Sequence, residues 1–532
     1  MQSSYPGALV AHLGAPSALA GGDGDPASRG SGVPVLRRRN GHPPLRCQPC
    51  AVRRARLLLA TRECRLRPPG GLVLDQLERH ASYLEPYTEL RIHVNHTKNV
   101  QMMGGNVVTN SASSRGGISA RSYQDGAFGF ASLPSVSDDV IPGALQAAGE
   151  NAALLGRRTR LGKGDLPEGT TGTGVFDYHS TRPRLSDAEQ LDAIRSMDAY
   201  LRDTYADLAN IDVSLQYLAM EKGLATSTGA LTYSYIPRTI VMVRLSYRAD
   251  DGVIDLYDTF GGFGDPQDHL GDVAEFRSGL DTLYSRVREK AAGTYCKPGE
   301  HDVILDSKLA GILAHEAIGH TCEADLVLGG SIAGDYVGEM VASDKVTLVD
   351  YAQRGPDGNG GIAIHVDDEG VACRDVTIIE KGLLKTFLHN KETAREMDAE
   401  PTGNARAFAF DDEPLVRMRN TAIAPGTDSL DDMIASVERG YYLIQPTNGQ
   451  ADNTSEFMFG VGMGYEIENG KIARAVRDTT IAGVAFDMLK TITHVSDDLT
   501  WGKGGMCGKK QMIPVGMGGP AIKCKINIGG RS

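Results

Sequence analysis

Apolar and polar residues alternate with two different periods along the chain, and these periods separate helices from strands. Apolar residues recur every three to four positions over residues 72–86, which predicts a helix. Residues 88–113 and 117–132 alternate with a period of two, and each range turns at a glycine, Gly104 or Gly126. The patterns predict a helix packed on two hairpins, with the folded body starting near residue 72.

Both periods continue toward the end of the chain. Residues 141–158 and 186–207 have helical spacing, and residues 157–184, rich in Gly, Thr and Pro, are predicted to form a connector. Strand patterns follow up to residue 262, and from about residue 300 one helix precedes many strands. We predict an α+β fold, in which small helix-on-sheet domains precede a β-rich domain. The predicted domains are a leader (1–71), an N-terminal α/β domain (72–156), a middle α+β domain (157–298) and a β-rich C-terminal domain (299–532).

Charge is divided unevenly between the leader and the rest of the chain. Residues 1–70 contain eleven Arg, no Lys and three acidic residues, a net charge of +8, whereas the whole chain carries −12. The leader is rich in Ala, Gly and Pro without a sustained period, which predicts disorder. It fits either an organellar transit peptide or a spurious upstream extension of the reading frame, and the second interpretation is favoured.

Composition limits what the folded body can be. The chain has 532 residues, 41% of them hydrophobic, which is enough for two or three cores without disulfides. Its apolar runs are shorter than the roughly 18 residues of a membrane span, and its eight cysteines lack framework spacing. We therefore expect a cytoplasmic protein with reduced thiols and no membrane partner. An acidic body is also not expected to bind nucleic acid through its phosphates.

One short stretch carries candidate metal chemistry. Residues 313–325, LAHEAIGHTCEAD, place His315, Glu316 and His320 within six positions on the predicted helix of the C-terminal domain. The spacing is that of the zinc-protease signature H-E-x-x-H with one residue added. On a regular α-helix, residues five apart point about 140° apart, so the two histidines could not bind one ion. A π-bulge, or a helix that ends near Gly319, would bring both to one side.

The residues around the histidines favour a metal site over a helix with two surface histidines. Glu316 directly follows the first histidine, where a metal-bound water needs a base. Glu323 and Asp325 follow the second histidine and are candidate partners that would orient the ligands. The residues by themselves leave both interpretations open.

This stretch and several later segments resemble one family. LAHEAIGHTCEAD is similar to the H-E-x-x-x-H motif of the TldD/PmbA family of metalloproteases. One N-terminal segment, DGAFGFAS (125–132), resembles that family's first domain. Similarity to its C-terminal segments continues, in the same order, through EPLVRMRNTAIAPG (413–426), GYEIENGKI (464–472), TTIAG (479–483) and GMCGKKQMIPVGMGGP (505–520). The chain departs from the pattern at Lys510, where a glycine is expected.

The resemblance implies a zinc site, its ligands and an activity. His315, His320 and Cys507 would bind Zn²⁺ and leave a fourth position for a water, which Glu316 would deprotonate as it attacks a peptide carbonyl. The implied activity is zinc-dependent hydrolysis of peptide bonds in unfolded or short peptides, including maturation of a leader peptide. Because the motif is complete, the chain resembles the TldD-type subunit. The implied assembly is a homodimer, or a heterodimer with a PmbA/TldE-type paralogue.

Two functions of other classes remain open. A modulatory or binding protein would keep the metal as a structural element and act through a partner, such as a toxin–antitoxin or topoisomerase system. A metal-free scaffold would leave the motif inert. The intact Glu316 favours the peptidase, because a structural site needs no base.

One strand and two arginines are candidates for binding the peptide substrate. The glycine-rich residues 456–465 are a candidate edge for pairing with an extended peptide, although such strands more often belong to the core. Arg417 and Arg419 are candidates for binding a peptide carboxylate or, more commonly, for ion pairs.

Overall fold

The folded body begins with a helix at Gly71, next to the start that the apolar spacing predicts. The computed structural model describes residues 70–158 and 164–529. The predicted leader therefore lies outside the described residues except for its last two positions.

Helices lie between groups of strands along the described chain. The α-helices are α1 (Gly71–Ala81), α2 (Ile141–Gly156), α3 (Asp187–Thr204), α4 (Pro266–His269), α5 (Arg277–Ala291), α6 (Ser307–Leu313), α7 (Ala324–Leu328), α8 (Lys391–Glu396), α9 (Leu430–Ala435) and α10 (Ala485–Lys490). A π-helix (Ala314–Gly319) follows α6, and 3₁₀ turns lie at Asp138–Val140, Val273–Phe276, His320–Cys322 and Ile332–Tyr336.

The strands outnumber the helices. In the N-terminal half they are β1 (Thr88–Met103), β2 (Asn106–Gln124), β3 (Ala127–Leu133), β4 (Thr173–Asp177), β5 (Leu208–Thr226), β6 (Leu231–Ala249) and β7 (Gly252–Phe263). In the C-terminal half they are β8 (Gly299–Leu305), β9 (Leu348–Tyr351), β10 (Val376–Glu380), β11 (Leu383–Leu384), β12 (Ala405–Arg406), β13 (Leu415–Val416), β14 (Asn420–Ile423), β15 (Arg439–Ala451), β16 (Glu456–Glu468), β17 (Lys471–Val476), β18 (Thr479–Val484), β19 (His494–Val495), β20 (Thr500–Trp501), β21 (Met506–Lys509), β22 (Gln511–Pro514), β23 (Gly516–Gly519) and β24 (Ile522–Gly529).

One seven-stranded sheet organises the N-terminal half. Its order is β3-β2-β1-β5-β6-β4 with β7 paired to β6, and every pair is antiparallel except β4 with β6. Gly104 and Gly126 have positive φ, as the tight turns of the two predicted hairpins require, so both hairpins are confirmed. The predicted boundary at 156/157 falls between strands of this one sheet, and the domain boundaries stay a prediction.

The connector predicted over residues 157–184 is wrong in part. It contains β4, which runs parallel to β6 at the edge of the sheet. The segment TGVFD has only two large apolar residues, and its pairing depends on a strand more than fifty residues away. A local pattern cannot reveal that neighbour.

Helices cover the sheet and complete two cores. α3 and α5 supply Ile194, Met197, Leu201, Leu283 and Val287 to one core with the central strands. α1 and α2 enclose a second core near the hairpins.

The C-terminal half contains two larger sheets with the motif helix between them. Strands β8, β15, β16, β18 and β24 pair in a closed ring, to which β17 and β19 are added. The second sheet has the order β11-β10-β9-β14-β23-β20. α6 packs against β15 of the first sheet and β23 of the second, and Gly311 allows this close approach, because a Cβ there would lie 2.9 Å from the backbone nitrogen of Gly518. Residues on every side of this helix belong to the largest core.

The mixture of helices and strands confirms the predicted α+β class.

Buried ion pairs join the N-terminal sheet to loops of the C-terminal half. Arg121 pairs with Glu369 at 2.9 Å, and Lys222 pairs with Asp368 at 2.8 Å. No helix within the described ranges is long and apolar enough to cross a membrane.

Candidate metal centre

The helix that carries the motif starts at a cap and runs into the core. The carboxylate of Asp306 accepts a hydrogen bond from the backbone N–H of Leu309 at 2.8 Å and so caps the first turn of α6. From Leu309 to His315 the side chains are buried. The motif is therefore rooted in the protein interior and does not lie on a surface helix.

The backbone widens into a π-helix at the motif. Residues 314–319 are π-helical, and the N–H of His320 donates to the carbonyl of His315, five residues earlier. This wider turn brings residues five apart onto one side. The imidazole rings of His315 and His320 lie 5.2 Å apart between centroids. Of the two geometries left open by the sequence, the structure contains the π-bulge.

Gly319 has a different role from a helix end. Its φ is −59°, an ordinary right-handed helical value, and a 3₁₀ turn continues from His320 to Cys322. A Cβ on Gly319 would collide with Sδ of Met418. The glycine is thus needed for the close approach of Met418, a residue almost a hundred positions away.

The third predicted ligand comes from a hairpin near the C-terminus. Cys507 lies on β21, which pairs with β22 around Lys510, and its side chain is fully buried. The guanidinium of Arg417, also fully buried, donates to the carbonyl oxygens of Cys507 at 2.8 Å and Gln511 at 2.9 Å. Arg417 therefore braces both strands of the hairpin that presents the thiol.

The three predicted ligands converge. One donor atom from each of His315, His320 and Cys507 lies within 4.8 Å of the others, and Nε2 of His320 is 3.2 Å from Sγ of Cys507. Donors bound to one tetrahedral zinc ion are about 3.3–3.6 Å apart, as Zn–N and Zn–S bond lengths require. The spacing of the described atoms is close to that arrangement.

The surroundings of His315 also fit a metal. This side chain has no exposed surface, yet neither of its ring nitrogens has a hydrogen-bond partner. A buried polar atom without a partner is costly in free energy. Two imidazoles and a thiol are the donors that zinc prefers, so an ion here would satisfy one of the two unpartnered nitrogens of His315.

Electrostatics favour the charged form of both the thiol and its neighbouring imidazole. Burial alone would raise the pKa of Cys507, but the charges of His320 and His315 hold it well below its ordinary value. Burial alone would lower the pKa of His320, but Cys507 and Glu323 hold it well above its ordinary value. A thiolate is the form of cysteine that binds a metal.

A buried carboxylate orients the second histidine. Glu323 has no exposed surface, and its Oε2 lies 2.7 Å from Nδ1 of His320 and 3.2 Å from Nζ of Lys509. Burial opposes ionisation, yet Lys509 and His320 lower the pKa of Glu323 to about 2. Lys509 also donates to Asp325 at 2.7 Å. The two predicted partners of the motif, Glu323 and Asp325, are thus joined through a lysine of the Cys507 hairpin.

Glu316 lies at the open side of the cluster. Its Oε2 is 3.5 Å from Nε2 of His320, and 22% of its side chain is exposed, compared with 18% for His320. Cys322 is fully buried, and its thiol contacts the Thr321 hydroxyl at 3.9 Å. The cluster that could hold a metal contains Cys507 and does not contain Cys322.

Both peptide-binding candidates from the sequence are corrected. β16 pairs with β15 on one edge and with β17 and β18 on the other, so residues 456–465 offer no open edge for a peptide. Arg419 forms a fully buried ion pair with Asp350 at 2.8 Å, whereas Arg417 donates to the backbone carbonyls of the hairpin. Neither arginine is available to a peptide carboxylate.

Two family models match the parts of the chain that build the site and the N-terminal sheet. The PmbA/TldA metallopeptidase C-terminal domain matches residues 298–530, and domain 1 of the same metallopeptidases matches residues 88–154. The chain therefore belongs to the TldD/PmbA family of metallopeptidases, as the motifs in the sequence predict.

Individual relatives agree with this assignment. A metalloprotease of Methanothermobacter thermautotrophicus is 30% identical over 467 residues, covering 86% of this chain and 97% of the relative. A metalloprotease TldD homolog of Buchnera aphidicola is 39% identical over 241 residues, covering 44% of this chain and 48% of the relative. The crystal structure of TldE from Thermococcus kodakarensis has the same fold, with a TM-score of 0.65 at 17% identity over 86% of this chain and 99% of that one.

Proposed function

We propose that this protein is a zinc-dependent peptidase that hydrolyses peptide bonds in unfolded or short peptides, including the leader of a peptide precursor. The observation that carries the proposal is the convergence of two imidazoles and a thiol within 4.8 Å, beside a partly exposed glutamate. Three protein ligands leave one position of a tetrahedral ion open, which is typical of catalytic zinc.

Each residue has a distinct part in this chemistry. His315 would hold the ion from the buried side, and His320 and Cys507 would hold it from the helix end and the hairpin. The bound zinc would polarise the peptide carbonyl and make water more acidic. Glu316 would accept the proton of the attacking water and return it to the leaving amine. A structural metal site would need no such carboxylate at its exposed side.

Access to the site supports a flexible substrate. Of the four predicted site residues, only Glu316 and His320 reach the surface, with about a fifth of each side chain exposed. A peptide bond of an extended chain can reach such a recessed glutamate more readily than a peptide bond on the surface of a folded protein. We therefore assign unfolded or short peptides as the substrate class.

We further infer that the peptidase works as a pair of subunits. The complete motif fits the TldD-type subunit, and the fold of the chain matches that of a protein named TldE. The partner would be a second copy or a related subunit. The five cysteines in the described part of the chain are free, which favours a reducing cytoplasm as the location.

Cleavage of unfolded casein, with and without a candidate related subunit, tests the activity. Wild type should cleave, lose activity to a zinc chelator and recover it with added Zn²⁺, whereas Glu316→Ala should bind zinc without cleaving. Zinc binding without cleavage in any combination would instead favour the modulatory function. Cleavage by Glu316→Ala at the wild-type rate would rule out the assigned base.

A further inference from the structure

One face of the N-terminal sheet is polar although it is buried. Arg91, His93 and Asn95 are two positions apart along β1, so their side chains share this face. Lys222 of β5 lies opposite His93 and belongs to the same face. The three β1 residues are buried beneath residues 407–414, the loop that connects β12 to β13. Burial of polar groups is costly in free energy unless they are hydrogen-bonded, and this β12–β13 loop supplies acceptors.

The β12–β13 loop is bound to the sheet through its backbone. Three side chains of the polar face donate to three consecutive carbonyl oxygens of the loop: Lys222 to Ala407 at 2.8 Å, Asn95 to Phe408 at 2.7 Å and Arg91 to Ala409 at 3.3 Å. Gly117 of β2 leaves room for the loop, because a Cβ there would lie 2.4 Å from Cδ2 of Phe410. The sheet thus holds the loop at its backbone and at one aromatic ring.

The same loop also binds the hairpin that carries Cys507. The backbone N–H of Phe408 donates to Oε1 of Gln511 at 2.7 Å, and Nε2 of Gln511 donates to the carbonyl oxygen of Glu413 at 3.0 Å. The ring of Phe408 packs against the small apolar cluster that contains Cys507. Gln511 therefore fixes the hairpin to the loop through both polar atoms of its amide group.

Phe408 connects the sheet to the hairpin through a single residue. Its carbonyl oxygen accepts from Asn95 of β1, and its N–H donates to Gln511 of β22, the strand that pairs with the strand of Cys507. Oδ1 of Asn95 lies 3.0 Å from Nε2 of the buried His93, and this contact keeps the amide nitrogen directed at Phe408. A displacement of Phe408 would therefore be passed on to the hairpin and its thiol.

We propose that Asn95 is a positioning residue for the Cys507 ligand, and that the N-terminal sheet is in this way part of the metal centre. Asn95 acts through Phe408 and Gln511. Without its hydrogen bond the loop is held less firmly, and the hairpin can move relative to the two histidines of the motif. Ligands that are less well fixed bind a metal more weakly. The inference rests on the proposed function in one respect, that Cys507 is a zinc ligand.

Asn95→Asp in the full-length protein tests this role. The substitution keeps the size of the side chain and the oxygen that faces His93, but it removes the donor to Phe408. Tyr123→Phe is the matched control. It also removes a contact between the same sheet and the C-terminal half, but this contact is made with Arg395 and not with the β12–β13 loop.

Two measurements should separate these variants. Titration with Co²⁺, whose absorption bands report on thiolate ligation, should show about 10-fold weaker binding in Asn95→Asp and an unchanged affinity in Tyr123→Phe. In the metal-free protein, alkylation of Cys507, located by peptide mass spectrometry, should be faster in Asn95→Asp than in Tyr123→Phe, because the hairpin buries the thiol less firmly. Asn95→Ala introduces no charge and should give the same two changes.

A double-mutant cycle distinguishes positioning from a general loss of stability. Gln511→Met removes the acceptor for the N–H of Phe408 and should itself weaken Co²⁺ binding. Asn95→Asp added to Gln511→Met should cause little further loss, because both substitutions break the same chain of contacts. Independent structural effects would add.

Other results would overturn the proposal. These are Co²⁺ affinity and Cys507 alkylation in Asn95→Asp that equal those of Tyr123→Phe, or losses that add fully in the cycle with Gln511→Met. Absence of zinc and of cleavage in wild type would count against the proposed function instead. The alkylation rate needs neither metal nor cleavage, so the role of Asn95 is tested in that case too, and the two failures can be told apart.

Discussion

Nδ1 of His320 lies 2.7 Å from Oε2 of Glu323, a carboxylate with no exposed surface. This contact directs the other ring nitrogen of His320 toward Cys507, 3.2 Å away. Lys509, two residues after Cys507, donates to the same carboxylate oxygen. Glu323 therefore links the helix that carries two proposed ligands to the hairpin that carries the third.

Glu323→Gln should weaken zinc binding by about 10- to 100-fold, because the neutral amide no longer holds His320 in one orientation as strongly. Competition with a chromophoric zinc chelator measures the change. Asp325→Asn is the matched control, since Asp325 contacts Lys509 and not His320 in the hydrogen-bond network, and its affinity should change less. Equal zinc affinity in Glu323→Gln and wild type would remove this carboxylate from the account.

Gly319→Ala should destabilise the fold by about 1–3 kcal/mol, as overpacking of a core does. The added methyl group would collide with Sδ of Met418 and displace the π-helical turn that presents His320. Thermal unfolding measures the loss. The double substitution Gly319→Ala with Met418→Ala should recover part of it relative to the sum of the single changes. Strict additivity of the two substitutions would show that the contact is not the cause.

Lys510→Gly should stabilise the protein by roughly 0.5–1 kcal/mol. Lys510 lies in the turn of the Cys507 hairpin and has a φ of +58°. This left-handed conformation is unfavourable for a residue with a Cβ atom, whereas glycine adopts it freely. This is the position at which the chain departs from the family pattern. Lys471→Gly, on an exposed strand position, is the control and should destabilise instead. Loss of stability in Lys510→Gly would contradict the strain assigned to this turn.

Acid should weaken the contact between the N-terminal sheet and the C-terminal loops. Burial alone would raise the pKa of Asp368, but Lys222 and Arg91 lower it to about 2. An unfolded aspartate titrates near 3.9, so ionised Asp368 stabilises the fold above about pH 4. That contribution, roughly 2–3 kcal/mol, is lost as the pH falls toward 2.

Unfolding of wild type and Asp368→Asn between pH 2 and 6 checks this dependence. The difference in stability between the two should be largest near pH 6 and should shrink toward pH 2. Asp187→Asn is the control: its side chain also pairs with a lysine, Lys98, but is 80% exposed, so the pH dependence should be smaller than that of Asp368→Asn. A constant difference between wild type and Asp368→Asn across this range would contradict the assigned pKa.

The sequence predicts those features that depend on neighbouring residues. The two hairpins and the helices α1 to α3 follow from local spacing and turn chemistry, and the structure confirms them. Helix α5 was missed, although apolar residues at 280, 283, 284 and 287 carry a helical period.

Features that depend on distant partners could not be predicted in the same way. Nothing near Gly319 in the sequence indicates that Met418 packs against it, so a helix end near Gly319 stays one of two predicted geometries until the structure is known. The composition of residues 456–465 allows either an edge strand or a core strand, and only the topology reveals that both edges of β16 are paired. Cys507 was predicted through the family resemblance alone, and the roles of Arg417 and Lys509 depend on where its hairpin lies.

Zinc content of the purified protein tests the central claim most directly. We predict close to one zinc ion per chain by elemental analysis in wild type and in Glu316→Ala, and strongly depleted zinc in Cys507→Ala. Cys322→Ala is the matched control among the buried thiols and should keep its zinc. If Cys507→Ala retains full zinc and full activity, the ligand set of His315, His320 and Cys507 is contradicted.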